Sequence, residues 1–284
     1  MKFSAHRVDG YAMSKDNFPK IVLTTTAGAR AEVYVYGAHV TSWTPANGSE
    51  RLFLSEKSAF QTGAAIRGGV PVVFPQFSQL GPLPKHGLVR TQSWEGSRVD
   101  HGMAVLRIRD SDDTRSLWPH AFEAQLSVTL EEARLSIELA VTNADDQPFT
   151  FTCALHTYLR VHDIAQTHIE NLAGRRYRDA VRDNQNFLEE DAVLRFAGEV
   201  DRVYHGPAHD VIVREPDRSL TVQQQGFVDT VVWNPGADKG AALADLEVDG
   251  YRRFVCVEAA LADTAINLEP QATWRGSQIL MVTA

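Results

Sequence analysis

The feature that most constrains the fold of this 284-residue chain is a period-two alternation of apolar and polar residues, broken by turn-forming residues about every ten positions. The clearest run is Met103 to Arg109, and a hairpin is predicted over Gln125 to Val141. Only Ser55 to Phe60 suggests a helical turn. Further strand-like runs span residues 31–36, 149–161, 209–214, 219–223, 228–233, 254–260 and 278–282. Many short strands with little helix predict an all-β sandwich or barrel.

The chain shows no internal repeat, and no tract of Pro, Gly or Ser is long enough to be an interdomain linker. One all-β domain can reach this length. We therefore expect a single domain over residues 1–284, with residues 1–16 as a loosely held N-terminal extension.

Composition argues against several kinds of partner. No apolar run approaches the ~20 residues needed to span a bilayer, and residues 1–9 lack the apolar segment of a secretory signal. The net charge of −8 argues against nucleic acid, which requires a basic surface, but a local group of arginines could still bind a small anion. Cys153 and Cys256 lie in apolar runs and are expected to be buried, reduced thiols, which favours a cytoplasmic location. The oligomeric state stays open, with a monomer as one possibility.

His156 is the first candidate for chemistry. The predicted strand over residues 149–161 has one apolar face, which includes Thr157, and a second face that carries His156, Tyr158 and Arg160. A histidine there could be an ordinary solvated strand residue. Its aromatic and basic neighbours are equally compatible with a concave, ligand-lined surface, so the pattern alone leaves both interpretations open.

Glu258 is the second candidate. It lies within Phe254 to Ala260, where apolar residues on both faces predict a central strand. A buried carboxylate is costly, and desolvation would raise its pKa and make it a better base near neutral pH. A structural carboxylate paired with arginine is the alternative, and we favour the functional interpretation.

A segment rich in glycine and proline supplies candidate anion ligands. Gly68 and Gly69 permit close approach of the backbone, and Arg67 directly precedes them. Lys85 and Arg90 frame the next segment. Guanidinium groups match phosphate oxygens in a bidentate manner. Ordinary surface charges would look the same, and composition does not decide between the two interpretations.

Four segments together resemble the glucose-6-phosphate 1-epimerase family, a branch of the aldose 1-epimerase (galactose mutarotase-like) superfamily. These segments are Ile66–Pro75, His86–Arg90, Leu155–Tyr158 and Val255–Glu258. The resemblance extends from Asn17 to Thr283. It implies a single galactose mutarotase-like domain, a large antiparallel β-supersandwich with the active site on its concave side. It also implies interconversion of the α and β anomers of a hexose 6-phosphate, with D-glucose 6-phosphate the expected substrate.

The resemblance also implies roles for individual residues. His156 is expected to be the general acid and Glu258 the general base. Arg67 and Arg90 are expected to bind phosphate, and Asp201 to bond sugar hydroxyls.

Two departures from the family bear on specificity. Lys85 stands where the family often has Gln, beside His86, and both are expected to contact substrate. Gly236 stands where the family often has a second Trp, and loss of that ring could widen the site.

The expected reaction needs a base to take the proton of the C1 hydroxyl and an acid to protonate the ring oxygen. We expect the carboxylates of Asp201 and Glu258 to raise the pKa of His156 above ~6.5. In the pH profile, the alkaline limb would then report the imidazolium and the acid limb the carboxylate.

No cofactor and no essential metal are expected. His205 and His209 have a spacing of four residues, but Gly206-Pro207 between them prevents the helix that would align them. Cys153 and His156 lack a second pair of ligands.

Two other functions remain as alternatives. The first is an aldose 1-epimerase for unphosphorylated sugars, against which the extra arginines argue. The second is a non-catalytic carbohydrate-binding protein on the same scaffold, against which the joint presence of His156 and Glu258 argues. The sequence does not determine which hexose 6-phosphate is preferred.

Overall fold

Strands dominate the computed structural model, which describes residues 11–13, 18–206 and 210–282. The strands are β1 (Tyr11–Met13), β2 (Pro19–Thr24), β3 (Arg30–Tyr34), β4 (His39–Thr44), β5 (Val72–Val73), β6 (Glu95–Arg98), β7 (Met103–Arg109), β8 (Phe122–Leu130), β9 (Arg134–Asn143), β10 (Phe149–Leu155), β11 (Tyr158–Arg160), β12 (His168–Glu170), β13 (Arg176–Asp179), β14 (Gln185–Leu188), β15 (Val193–Arg195), β16 (Val200–His205), β17 (Val211–Arg214), β18 (Ser219–Gln225), β19 (Asp229–Asn234), β20 (Phe254–Leu268) and β21 (Thr273–Val282). The α-helices of the described residues are α1 (Asp112–Leu117) and α2 (Gly236–Ala242). Short 3-10 helices span Val89–Thr91, Ile164–Gln166, Ala180–Arg182 and Gly250–Arg253. Apart from β1, the expected N-terminal extension lies outside the described residues.

The strands form three sheets in which every strand pairing is antiparallel. The smallest has the order β1-β2-β3-β4. An eight-stranded sheet has the order β14-β13-β16-β19-β20-β10-β5, with β11 also paired to β20. A nine-stranded sheet has the order β15-β12-β17-β18-β21-β9-β8-β7-β6. The predicted all-β, antiparallel class is confirmed.

The main apolar core lies between the two large sheets. The ring of Phe151 on β10 lies 5.7 Å from the ring of Trp274 on β21, which joins the sheets across the core. Residues of β8 alternate between buried and partly buried along the whole strand, as one covered sheet face requires. Each large apolar side chain buried in this way stabilises the fold by about 1.5–3 kcal/mol.

The predicted alternating runs correspond to β3, β7 to β11 and β17 to β21, whereas the other strands and both α-helices were not predicted. The predicted run Met103 to Arg109 is β7, and the predicted hairpin is β8 with β9. The helical turn expected at Ser55 to Phe60 is a single hydrogen-bonded turn, in which the Ser58 N–H donates to the Ser55 carbonyl (3.1 Å), and it does not extend into a helix. Helix α1 forms because the Ser111 hydroxyl accepts from the Thr114 N–H (3.2 Å) in a capping box. It is too short to show an apolar period.

Among the described residues, no helix combines the length and the apolar character that crossing a membrane requires. One predicted strand began at His209, which lies outside the described residues, and its remainder is β17.

Candidate active site

The predicted strand over residues 149–161 is interrupted at the candidate histidine. It forms β10 and β11, and His156 and Thr157 lie between them. Both strands pair with β20 in the same register, so that continuing the register across the gap places His156 opposite Glu258. The His156 N–H donates to the carbonyl of Pro71 (3.0 Å) instead of to a strand partner.

One face of four adjacent strands, β16, β19, β20 and β10–β11, forms the floor of the site. Side chains two positions apart on a strand share a face, so the register defines two rows across the sheet. The first row contains Val203, Val231, Glu258 and His156. The second contains Asp201, Trp233, Cys256 and Tyr158. The predicted acid and base are therefore cross-strand neighbours.

A cleft of ≈ 180 Å³ lies over this floor. All the residues predicted for the site line it: Arg67, Lys85, His86, Arg90, His156, Asp201 and Glu258. The cleft is also lined by Tyr158, which the sequence placed on the same face as His156, and by Trp233, Lys239 and Asp245, which were not predicted. Trp233 could have been found, because period-two alternation places it on the same face as Val231 of the first row. Lys239 lies in α2 and Asp245 just after it, where the sequence had no strand or motif signal.

Two glycines bring Arg67 to the edge of the cleft. Gly68 and Gly69 have φ values of +115° and +60°. A Cβ atom at either position would lie 2.3 Å from a backbone oxygen, that of Phe53 or Val40 respectively. The predicted close approach of the backbone is therefore present, and a side chain at either glycine would push the Arg67 loop away from the floor.

A hydrogen bond from the backbone of Ser78 fixes the tautomer of His86. The Ser78 N–H donates to His86 Nδ1 (3.3 Å), so the ring proton of a neutral His86 is on Nε2. Burial, together with Arg90, Lys85 and Arg67, lowers the pKa of His86 to about 2. His86 is therefore a neutral hydrogen-bond donor in this cleft.

The His156–Glu258 pair is the chemical centre of the cleft. His156 Nδ1 lies 3.3 Å from Glu258 Oε1. The two side chains are 10% and 2% exposed. Yet His156 Nδ1 and Glu258 Oε2 have no hydrogen-bond partner among the described residues. A buried polar atom without a partner is costly, and this cost is characteristic of groups kept for binding or catalysis.

Burial controls the protonation of this pair. It raises the pKa of Glu258 well above its ordinary value; Asp201 raises it further, and Lys85 opposes the shift. Burial also lowers the pKa of His156 well below its ordinary value, helped by His86 and then by the nearby cations. The expectation that neighbouring carboxylates raise the pKa of His156 is therefore wrong, because desolvation outweighs them. The pair favours its net-neutral form, in which one proton serves both groups.

Arg67 is held by partners within the cleft. Its Nε donates to Asp245 Oδ2 (3.1 Å), and its Nη1 donates to the Tyr158 hydroxyl (2.9 Å). Burial lowers the pKa of Arg67, but Tyr158 and Asp245 outweigh burial and the net shift is upward. The guanidinium is thus fixed in place and permanently charged.

Positive charges crowd one side of the cleft. Burial lowers the pKa of Lys85, and the like charges of Lys239, Arg67 and Arg90 lower it further. Arg90 Nη2 donates to the backbone carbonyl of Lys85 (2.8 Å), which holds two of these cations side by side. An anion bound among them would relieve their repulsion.

Gln278 on β21 supports the floor from behind. It is fully buried in the core, its Oε1 accepts from the Thr157 hydroxyl, and its Nε2 donates to the Val257 carbonyl (3.0 Å). Thr157 and Val257 are the immediate neighbours of the paired residues His156 and Glu258. The bonds therefore help to position the pair, and the sequence signal was a polar residue at an inward position of an apolar strand.

Gly236 lies outside this cleft, contrary to the expectation that it would widen it. It lines a neighbouring cavity of ≈ 430 Å³. Its φ is +64°, and a Cβ atom there would lie 2.7 Å from the Glu199 backbone nitrogen. That cavity contains neither His156 nor Glu258, and we assign it no chemistry.

Two of the histidines considered as metal ligands from the sequence are His205 and His209. His209 lies outside the described residues, and His205 Nδ1 lies 3.2 Å from Asp229 Oδ1. One group of potential ligands in the described part of the chain lies in the site itself. It consists of His156, Cys256 and Glu258, with ligand atoms within 4.8 Å of one another.

Comparison with known proteins decides the family. The family model described as aldose 1-epimerase matches residues 19–281. The chain belongs to the aldose 1-epimerase family. A protein of Cenchrus ciliaris, provisionally named glucose-6-phosphate 1-epimerase, is 36% identical to this epimerase over 271 residues, which cover 90% of this chain and 82% of that protein. An Escherichia coli K12 protein with the same provisional name is 35% identical over 242 residues, covering 82% and 80% of the two chains.

Solved structures agree with this assignment. A Salmonella typhimurium crystal structure, provisionally described as a mutarotase, matches the epimerase with a TM-score of 0.84 and 30% identity, covering 98% of this chain and 92% of that one. A galactose mutarotase related enzyme from Lactobacillus acidophilus has a TM-score of 0.75 at 15% identity, covering 93% and 97%, and shows the fold alone. The predicted family, the galactose mutarotase-like fold and the assignment as an isomerase are confirmed.

Proposed function

We propose that this epimerase interconverts the α and β anomers of a hexose 6-phosphate, with D-glucose 6-phosphate as the preferred substrate. The observation that carries the proposal is the combination found in one cleft. A buried imidazole–carboxyl pair lies on the floor, and Arg67, Lys85 and Arg90 line the same cleft. The relatives provisionally named glucose-6-phosphate 1-epimerases support the choice of sugar.

In the proposed reaction, Glu258 takes the proton of the C1 hydroxyl while His156 protonates the ring oxygen. The ring opens to the aldehyde, C1 rotates about the C1–C2 bond, and the ring closes on the other face. Asp201 and His86 bond sugar hydroxyls, the first as an acceptor and the second as a donor through Nε2–H. These residues supply every proton movement, and the proposal includes no cofactor.

Binding of the substrate phosphate also favours protonation of His156, the proposed acid. Arg67, Arg90 and Lys85 lower the pKa of His156 by their positive field. A bound phosphate dianion offsets that field and so favours protonation of His156. The proton comes from the carboxyl group 3.3 Å away, which becomes the base at the same moment. A hexose 6-phosphate therefore brings the pair nearer to its reactive form than a free hexose does.

Anomer-exchange NMR tests the function directly. We expect the chain to accelerate exchange of glucose 6-phosphate far above the enzyme-free rate, and to accelerate exchange of glucose and galactose much less. The same experiment with galactose 6-phosphate and mannose 6-phosphate identifies the preferred sugar. Equal acceleration of the free sugars would indicate an aldose 1-epimerase instead. Binding of glucose 6-phosphate without acceleration would indicate a carbohydrate-binding protein.

The pH dependence of kcat/KM tests the state of the pair. Starting from the net-neutral pair, lowering the pH adds a second proton and charges His156, whereas raising the pH removes the shared proton and charges Glu258. Burial disfavours both charged forms, since it lowers the pKa of His156 and raises the pKa of Glu258. We therefore expect a broad plateau whose limbs lie more than ~2 pH units apart, the ordinary separation of Glu and His. The acid limb reports His156 and the alkaline limb Glu258, the reverse of the assignment expected from sequence.

The measurement is kcat/KM for glucose 6-phosphate across pH, corrected for ionisation of the phosphate near pH ~6. A narrow bell confined between the ordinary values of the two groups would show that the pair is ionised in the free enzyme, contrary to this expectation.

Two further parts of the proposal concern the chain as a whole. We place it in the cytoplasm, since both cysteines are free thiols in the structure. We also propose that it functions as one domain.

A further inference from the structure

Cys256 lies between Trp233 and Tyr158 in the sheet beneath the cleft, next to the proposed acid and base but not among the residues that line the cleft, and the proposed reaction does not use it. It is two positions from Glu258 on β20 and pairs across the sheet with Tyr158. Its side chain is fully buried in an apolar cluster that also contains Phe53, Tyr158 and Phe254. A small apolar residue would fill this position equally well, whereas a thiol adds a soft metal ligand.

The spacing of the three side chains suits a tetrahedral metal ion. One ligand atom from each of His156, Cys256 and Glu258 lies within 4.8 Å of the other two. Zinc bound to nitrogen, sulfur and oxygen at ~2.0–2.3 Å requires its ligand atoms to be about 3.3–3.7 Å apart. His156 Nδ1 and Glu258 Oε1 already have this separation, at 3.3 Å. The Cys256 thiol lies within 4.8 Å of the other two ligand atoms and must move closer to them to complete three of the four positions.

Two further atoms point to a ligand here. His156 Nδ1 and Glu258 Oε2 are buried and lack hydrogen-bond partners among the described residues. Both side chains are at least nine-tenths buried, yet both residues line the cleft, so an ion entering from solvent can reach them. One thiolate and one carboxylate neutralise a divalent cation, and the cleft provides the fourth ligand as water or a substrate oxygen.

We propose that His156, Cys256 and Glu258 form a binding site for Zn²⁺, and that zinc bound there inhibits the enzyme by occupying the acid and the base. On binding, the thiol proton and the single proton of the His156–Glu258 pair pass to solvent, and three metal–ligand bonds form without any redox change. The binding site stands on geometry alone. The inhibition rests on the proposed function.

Cobalt substitution tests the site without reference to activity. We expect Co²⁺ added to the metal-free protein to give a thiolate-to-cobalt charge-transfer band, and Zn²⁺ to abolish it. Cys256→Ala should remove the band. Cys153→Ala is the matched control, because Cys153 is an equally buried thiol in the core between the sheets, and it should retain the band. Absence of this band in the wild-type protein would overturn the proposal. This test does not depend on the folding of any variant.

Inhibition is tested by anomer exchange with glucose 6-phosphate at buffered free zinc. We expect full activity in excess EDTA, inhibition that rises with zinc, and relief by more sugar phosphate. Cys256→Ala should raise the half-inhibitory zinc concentration at least ~10-fold, since loss of a ligand costs no less than loss of its supporting partner. Cys153→Ala should leave that concentration unchanged.

The possible failures are distinguishable. Activity that is lost in EDTA and restored by zinc would overturn inhibition and indicate an essential metal. A cobalt band with no zinc inhibition would also overturn the inhibitory role. A cobalt band in a protein that shows no exchange even in EDTA would overturn the proposed function and leave the zinc site standing.

Discussion

Replacing Glu258 by Gln is expected to lower kcat for anomer exchange at least ~10²-fold, the lower range for loss of a general base. The substitution keeps the size of the side chain but removes its ability to accept and return a proton. Binding of glucose 6-phosphate should survive, because the phosphate is held by cations elsewhere in the cleft. The measurement is kcat from exchange NMR, together with an independent dissociation constant.

Stability provides a sharp control for this variant. The Glu258 carboxyl is buried, and its Oε2 lacks a hydrogen-bond partner among the described residues. Glu258→Gln should therefore leave the free energy of unfolding unchanged or raise it. Glu189→Gln is the matched comparison, because Glu189 is also buried but accepts from Tyr204 (2.6 Å) and Arg202 (2.7 Å) away from the cleft. It should lose about 1–3 kcal/mol of stability and keep its kcat.

His156→Ala completes the test of the pair. Alone it should also reduce kcat at least ~10²-fold. Since the two groups share one proton and act as a unit, the double variant with Glu258→Gln should be little worse than the poorer single variant. A folded Glu258→Gln protein that exchanges anomers near the wild-type rate would rule out this assignment.

Replacing Arg90 by Ala is expected to weaken binding of glucose 6-phosphate about 10–150-fold, which corresponds to losing a charge-assisted contact of roughly 1.5–3 kcal/mol. Activity on free glucose should change much less, because glucose has no phosphate. The measurement is KM or the dissociation constant for both sugars. Arg109→Ala is the control, since Arg109 lies on β7 with a side chain 77% exposed, paired with Glu123 in a surface ion pair. It should change neither value.

Arg67→Ala should cause a loss of the same size for glucose 6-phosphate, with an additional structural effect. Removing this guanidinium deprives Asp245 and Tyr158 of a partner. Arg90 is therefore the cleaner test of phosphate recognition. Equal losses for phosphorylated and free sugar in Arg90→Ala would mean that the arginine supports the fold and does not bind phosphate.

Local pattern was sufficient for much of the fold. Alternation located β7 and the β8–β9 hairpin because one face of each strand is covered and the other is not. Successive side chains point to opposite faces, so this difference is visible in the local sequence. It failed for α1 and α2, which are six and seven residues long and so too short for a 3.6-residue period to appear. It also missed the interruption of the 149–161 strand, since His156 stays in register on both sides.

The sequence by itself determined the strand faces and, through the family resemblance, seven of the residues that line one cleft. Tertiary structure alone decided how these residues act. The 3.3 Å separation of His156 and Glu258 follows from the pairing of β20 with β10 and β11, and no local pattern encodes which strands are neighbours. The directions of both pKa shifts, opposite to expectation for the histidine, arise from desolvation. Desolvation is a property of the packed molecule, because it depends on every element that excludes water from the pair.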